Sequence, residues 1–361
     1  MLQRYFETIT DPREAWKIDH SLHEIVIMTV CAVVSGCEIW EDIVDFCRVK
    51  EDWYRERLGL RLANGIASHD TFQRVFQMID PAEFEMCFLD WISAIAQKTD
   101  DDIVSIDGKT LRGSRDTKAK AIHMVSAWSN ANQLVLGQLK VNEKSNEITA
   151  IPTLLDLLDL KDCVVTIDAM GCQKDIAEQI IEKEADYVLA LKGNKTSLHE
   201  DVKLYFEKLH QKSDFETLEK GHGRIEKREY FLETNIDWLE QRDDWKGFAA
   251  VGAVRSRVEE KGIVREETRY FITSLADVKT FARAVRSHWG VENSLHWVLD
   301  VVFHEDASRT RKDNSAENFS VIRRIELNLL RGYPASMSLA RKRRRCAYDA
   351  DFMADVLLSA L

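Results

Sequence analysis

Ile103-Val-Ser-Ile-Asp-Gly108 and Cys163-Val-Val-Thr-Ile-Asp168 decide how this chain folds. Each is an apolar, β-branched run closed by an aspartate, the pattern of a buried strand whose last side chain emerges at the carboxyl end of a sheet. Between them, residues 121–128 and 133–141 read as two further strands joined by the turn Ser129-Asn-Ala-Asn132. A helix is predicted over about 147–159. After Asp168 the pattern predicts a helix over 173–184, a third buried strand at Tyr187-Val-Leu-Ala-Leu191 and a helix from about 196 to 210.

The order is strand, strand, strand, helix, strand, helix, strand, helix. A doubly wound dinucleotide fold would alternate from the start. A leading antiparallel meander followed by β-α units is instead the ribonuclease-H-like order. It puts Asp107 on the first strand and Asp168 on the fourth, side by side at the sheet centre. The predicted class is therefore α/β, with flanking segments of different character. Residues 1–98 read as an all-α N-terminal domain, opened by the capping-box spacing Ser21-Leu-His-Glu24 before the apolar stretch from Ile25. Residues 99–335 form the catalytic core, interrupted over about 213–275 by a β-rich insertion with strand-like runs at 228–233, 248–258 and 266–273. A long helix from about 277 to 302 carries Glu292, another spans about 317–331, and residues 336–361 read as a basic C-terminal tail.

Composition narrows the function less than the strand pattern does. A chain of 361 residues with 45% hydrophobic and 31% charged residues is an ordinary globular balance. The longest apolar run, Ile25 to Cys37, is too short to cross a bilayer and is preceded by acidic residues, so a cytoplasmic protein is expected. Seven cysteines with no C-x-x-C pair read as reduced thiols rather than zinc ligands. The net charge of −11 does not by itself suggest nucleic acid. The first hundred residues carry 10 Lys or Arg against 18 Asp or Glu, whereas beyond residue 300 there are 11 basic and 8 acidic residues. The run Arg341-Lys-Arg-Arg-Arg345 suits either phosphate binding or solvation of the chain end. The N-terminal helices are compatible with a helix-turn-helix or with a packing and oligomerisation role.

An aspartate at a strand end alone is often a turn cap. Two on adjacent strands repel unless a cation sits between them, and hard oxygen ligands favour Mg²⁺ or Mn²⁺. Glu292 lies in His288-Trp-Gly-Val-Glu-Asn-Ser-Leu-His296, where His288, Glu292 and His296 share one helical face. That face suits a self-contained metal site, a packing face with Trp289 and Trp297, or a third carboxylate delivered onto the strand-borne pair. Three carboxylates around two ions are what in-line phosphodiester cleavage needs, and neither a nucleophile motif nor a Walker-type loop is present. Basic residues fall next to the acids: Lys109, Arg112 and Arg115 after Asp107, Lys192 and Lys195 after the third buried strand, His222, Arg224 and Arg228 in the insertion, and Arg309, Arg311 and Lys312 after the Glu292 helix. A polyphosphate substrate would require cations at that edge.

These residues carry a resemblance that spans nearly the whole chain. Asp11-Pro-Arg13, Trp40-Glu-Asp-Ile43, Ser68-His-Asp-Thr-Phe72, Ile106-Asp-Gly-Lys-Thr-Leu-Arg-Gly113, Thr166-Ile-Asp-Ala169, Leu191-Lys-Gly-Asn194, His222-Gly-Arg224, His288-Trp-Gly-Val-Glu-Asn293 and Glu305-Asp-Ala-Ser-Arg309 resemble a DDE transposase of the ISAs-type insertion sequences, the group of H-repeat-associated proteins. The resemblance implies a ribonuclease-H-like core with a β-strand insertion, catalysis and binding of two Mg²⁺ or Mn²⁺ ions by Asp107, Asp168 and Glu292, and DNA as partner. It also implies hydrolysis at element ends followed by attack of the freed 3′-hydroxyl on target DNA, by a homodimer or larger assembly. Lys109, Arg112, Lys192, Lys195, His222, Arg224, His288, Asn293 and Arg309 are the expected DNA contacts. A nuclease that does not rejoin strands and a non-catalytic DNA-binding relic are the competing readings. In one respect the chain departs from the broader relatives, which carry Tyr-x2-Arg-x3-Glu-x6-Lys around the glutamate. Here Val285, His288 and Leu299 stand at the Tyr, Arg and Lys positions.

Overall fold

The computed structural model describes residues 2–97, 99, 101–115, 120–141, 146–208, 212–221 and 223–358, apart from the side chains at 194 and 196. Six helices come first: α1 (Gln3–Phe6), α2 (Leu22–Val34), α3 (Trp40–Val49), α4 (Glu51–Leu58), α5 (His69–Met78) and α6 (Pro81–Ile95). Ser68 caps α5 by accepting from the Thr71 N–H, and Asp80 caps α6 ahead of Pro81, which needs no amide partner in a first turn. The capping box predicted at Ser21 does not form. Glu24 Oε1 accepts instead from the Arg61 and Leu62 amides, clamping the loop after α4 onto α2. Residues Ile25 to Val34 are all buried, so α2 is the central rod of this layer.

The β-α region follows: β1 (Ile103–Leu111), β2 (Ile122–Ser129), β3 (Leu134–Lys140), α7 (Glu147–Leu157), β4 (Val164–Ile167), α8 (Lys174–Glu182), β5 (Asp186–Leu191) and α9 (Thr196–Lys208). Then come β6 (Phe215–Gly221), β7 (Arg224–Glu233), β8 (Ala250–Glu260) and β9 (Ile263–Thr273). All nine strands join one mixed sheet in the order β3-β2-β1-β4-β5-β9-β8-β7-β6. β1 pairs antiparallel with β2 and parallel with β4, and β4 pairs parallel with β5. β9 runs antiparallel to β5, so the expected insertion extends the same sheet rather than forming a separate lobe. Its outermost strand, β6, is mostly exposed and offers no apolar run, which is why the sequence pattern missed it.

The chain closes with α10 (Val278–Gly290), a π-helical turn at Val291–His296, α11 (Trp297–Val301), α12 (Ser315–Gly332), α13 (Leu339–Tyr348) and α14 (Ala350–Leu358). One sheet face packs under α7, α8 and α9 through Ile106, Val165, Ile167 and Leu189. The other meets α10 through Ile103, Val164, Val188, Phe271, Phe281 and Val285. A third core joins α1 to α6 with α11 through α14, so the two chain ends share one apolar interior. The basic segment beyond 336, expected as a tail, is therefore two packed helices. Lys342 is buried and donates to the Leu330 carbonyl at 2.7 Å and to that of Tyr333. Arg343 pairs with Glu326 at 2.8 Å and Glu38 at 2.9 Å. The run thus divides between inward and outward cations, as a helical period dictates. The seven cysteines are free thiols, five of them buried.

α12 ties the layers together. Asn328 accepts from the Val135 N–H at 2.9 Å and donates to the Val135 carbonyl at 3.0 Å, closing the otherwise open edge of β3. Beside it, Arg324 and Glu305 form an ion pair with side chains only 0% and 1% exposed. Burial would push Glu305 up, but Arg324, Arg323 and Lys109 hold its carboxyl below the usual range. Breaking such a pair strands a charge in the interior. Arg324→Met should therefore lower unfolding stability in urea by about 3–5 kcal/mol, and adding Glu305→Gln should recover most of the loss.

Candidate active site

Parallel pairing places Ile106 opposite Ile167, so Asp107 and Asp168 stand at the same level where β4 ends; the first strand, expected to end at Asp107, runs on to Leu111 because it stays paired with β2. Neighbouring strands lie about 4.8 Å apart, which brings the two carboxylates into electrostatic reach. Asp168 is steadied by its own turn, one carboxylate oxygen accepting from the Met170 N–H at 2.9 Å and the Gly171 N–H at 3.4 Å. Its second oxygen is left for other partners. Asp107 accepts from the Gly108 N–H at 2.9 Å.

Glu292 arrives from the opposite side. α10 is pinned to the sheet by a polar chain beneath it. Asn130 donates to Ser105 Oγ at 3.0 Å, Thr166 donates to Ser105 Oγ at 3.1 Å, and His288 Nδ1 meets Thr166 Oγ1 at 3.0 Å. Gly290 permits the close approach, since a Cβ there would stand 2.5 Å from Asn130 Oδ1, and Asn130 is held in place by its own hydrogen bonds. The helix then widens into the π turn, a device common at functional sites, and Glu292 and His296 swing over the strand ends. His296 Nδ1 lies 3.1 Å from Glu292 Oε2 and 3.6 Å from Asp107 Oδ2. Donor atoms of Asp107, Glu292 and His296 all fall within 4.8 Å of one another, a separation that one metal ion could bridge. Asp168 lines the same cavity but stands outside that group.

The electrostatics match the crowding. Burial, above all, pushes the Asp107 carboxyl up to about 7; the Gly108 hydrogen bond opposes this, while Asp168, Glu147 and Glu292 add to it. Burial pulls His296 below its ordinary value against the pull of Glu292. With Nδ1 facing two carboxylates, its proton belongs there, and the buried Nε2 has no hydrogen-bond partner. His288 is pushed down to about 4, again mainly by burial, and is neutral at pH 7. Its link to Thr166 makes it an anchor of the helix carrying Glu292, so any bond it offered a phosphate would be an uncharged one.

The expected DNA-facing residues divide. Lys192 lines the cavity that Asp107, Asp168 and Glu292 share. Lys195 donates to Gln173 Oε1 at 2.9 Å. Arg112 is exposed beside Asp306, and Arg309 is exposed as well. Arg224 and Asn293 line an adjoining cavity along the insertion. Lys109 is not on the open side: only 7% exposed, it is held by Asp300 at 2.7 Å, Asp306 at 3.1 Å and Glu305 at 3.7 Å. That triad explains why Glu305-Asp306 mattered in the sequence, since it locks the far half of β1 to the loop after α11. His222 lies outside the described residues. Arg269 and Trp289 wall both cavities; Trp289 was read as a packing residue, and Arg269 carried no signal in the sequence because the β9 strand pattern does not reveal which helix it will face.

Comparison with known proteins agrees with this geometry. Residues 3–92 match the DDE_Tnp_1-associated family and residues 98–329 the transposase DDE domain. A putative transposase, YncI, of Escherichia coli O157:H7 is 43% identical over 368 residues, covering 98% of this chain and 94% of its own. The H repeat-associated putative transposase YhhI of Escherichia coli K12 is 42% identical, covering 99% and 97%. A looser likeness, with TM-score 0.45 at 10% identity over 99% of this chain and 81% of the other, is to the piggyBac transposase synaptic complex with hairpin DNA. With the family match running over residues 98–329, Asp107, Asp168 and Glu292 inside it, this chain belongs to the DDE transposases.

Proposed function

We propose that the chain cleaves the DNA ends of an insertion element and transfers the resulting 3′-hydroxyl to target DNA, with Asp107, Asp168 and Glu292 as the catalytic carboxylates of a ribonuclease-H-like core. The observation that carries this is the shared level of Asp107 and Asp168 on two parallel strands, with Glu292 brought over them by the π turn. The donor set fits divalent ions: Asp107 is a buried carboxyl crowded by like charges, the state that a hard cation relieves. Such ions, when bound by the three carboxylates, supply activation of the attacking oxygen and stabilisation of the leaving one.

The chain's own groups hold the geometry. The Asp168 turn presents one free oxygen, His296 orients Glu292, and the Thr166–His288 link keeps the helix at a constant height above the strands. Lys192 at the rim and exposed Arg112, Arg224, Asn293 and Arg309 would receive the DNA backbone, whose phosphates require cations. Residues 1–98, 99–335 and 336–361 would act as associated helical domain, catalytic domain and C-terminal segment, with a dimer or larger assembly joining two ends. Among the described residues no helix is long and apolar enough to cross a membrane.

Asp107→Asn, Asp168→Asn and Glu292→Gln should each abolish Mg²⁺- or Mn²⁺-dependent nicking of an element-end duplex and formation of joined products. Cleavage at wild-type rates in these variants would exclude the assignment, and cleavage without joined product would make the enzyme a nuclease only.

A second test uses stability. The Asp107 carboxyl stands at about 7 in the folded chain against 3.8 ordinarily, so its ionisation disfavours the folded state progressively as pH rises from about 4 to about 7. Metal-free Asp107→Asn should match wild type at about pH 4 and exceed it by on the order of 4 kcal/mol at pH 8. Mg²⁺ should raise the wild-type melting temperature at pH 8, less so below pH 7 where protons compete, and leave Asp107→Asn unmoved.

A further inference from the structure

The wall of the catalytic cavity opposite Asp107 is built by the insertion. Register carries across four strands: Ile106 faces Ile167, Ile167 faces Leu189, and Leu189 faces Ile272. Three steps toward the open end, β9 brings Arg269 level with Lys192 just beyond β5. Thr166, Asp168, Ala190, Lys192, Phe271 and Arg269 line this cavity on the α10 side of the sheet. Arg269 therefore stands at the same sheet end as the two aspartates, although more than a hundred residues separate it from either in sequence.

Its surroundings differ from those of its neighbours. Arg228 pairs with Glu226 at 2.6 Å and Glu219 at 3.0 Å, and Arg286 with Glu219 at 2.9 Å. Among the described residues no carboxylate lies within ion-pair distance of Arg269, although Glu226 and Glu267 are near enough to favour its charge. Its Nε is buried without a hydrogen-bond partner among the described residues. The guanidinium lies over the Trp289 ring at 5.2 Å, and Trp289 sits three residues before Glu292 on the same helical segment. Burial holds the guanidinium below the usual arginine value. A half-buried arginine with an unmet donor is costly unless a ligand completes it, and its planar fork suits a phosphate with two oxygens free. His288, which lines the same cavity, is neutral and engaged with Thr166, so it brings no charge to the site.

We propose that Arg269 is the phosphate-binding cation of this active site, holding the DNA strand's phosphate against the carboxylates while Trp289 keeps its guanidinium flat. This rests on the phosphoryl-transfer reading above. Trp289 and Arg269 also form the boundary with the cavity that Arg224, Arg228 and Asn293 line, so a strand bound at the carboxylates would continue along the insertion.

The test uses the full-length chain and an end-repeat duplex, either unmodified or with an uncharged methylphosphonate at the scissile position. Arg269→Met keeps the apolar stem over Trp289 and removes the fork; Arg269→Lys keeps the charge. Cleavage should fall about a hundredfold in Arg269→Met and less in Arg269→Lys. In EDTA, where no cleavage occurs, the ratio of affinities for charged and uncharged duplex should be about tenfold larger for wild type than for Arg269→Met. That ratio cancels any general loss of folded protein. Equal ratios, or Arg269→Met cleaving within about threefold of wild type, would overturn the assignment. If Asp168→Asn and Glu292→Gln are inert while Arg269→Met cuts normally, Arg269 falls and the phosphoryl-transfer reading stands; if all three cut normally, the phosphoryl-transfer reading itself falls, and Arg269 with it.

Discussion

The parallel pairing of β1 with β4 brings two carboxylates to one level at the end of a buried sheet, and most of the molecule answers to that repulsion. A sheet centre is the most rigid place a fold offers, because strands flank it on both sides and helices cover both faces. Here α7 to α9 close one face and α10 the other. The aspartates cannot move apart. Burial above all, with Asp168, Glu147 and Glu292 adding to it, holds the Asp107 carboxyl up at about 7.

The second constraint is how a glutamate reaches this pair from a separate layer. α10 has to lie close over the strand ends and then release its register. A polar chain of Asn130, Ser105, Thr166 and His288 sets the height, and the absence of a side chain at Gly290 lets the helix descend. The π turn that follows aims Glu292 and His296 together at Asp107. Behind them, Leu295, Val298 and Leu299 of the same segment enter the core shared by both chain ends. The site is therefore backed by the helical layer as well as by the sheet. Buried pairs such as Arg324–Glu305 fix that layer in place.

The insertion changes the shape of this arrangement. By continuing the central sheet beyond β5, it adds a wall whose cations stand opposite the acidic residues. Charges along that wall are mostly paired, Glu226 with Arg224 and Arg228 along β7, and Arg228 with Glu219 across to β6. A net charge of −11 is thus no obstacle to a local cationic path.

The two aspartates were legible because each closes a near-continuous apolar run, the mark of a buried strand; that β1 runs on past Asp107 to Leu111 was not, since Lys109 and Thr110 break the apolar pattern. Helices over 147–157, 174–182 and 315–332 were likewise written in apolar periodicity. Glu292 was legible through its motif, but the π turn that aims it was not, since such a turn depends on what the helix packs against. Pairing across the sheet was equally hidden: nothing local in β9 says that it will lie beside β5, or that Arg269 will thereby face Asp168's cavity. The basic sites diverged for the same reason. Lys109 and Lys342 look like surface cations in sequence, and only the approach of Asp300, Glu305 and Asp306 to one, and of two carbonyls to the other, turns them inward. Local pattern determined which segments are strands and helices and which carboxylates end them; long-range packing decided which charges those carboxylates meet, because an ion pair depends on distance in space and not on spacing along the chain.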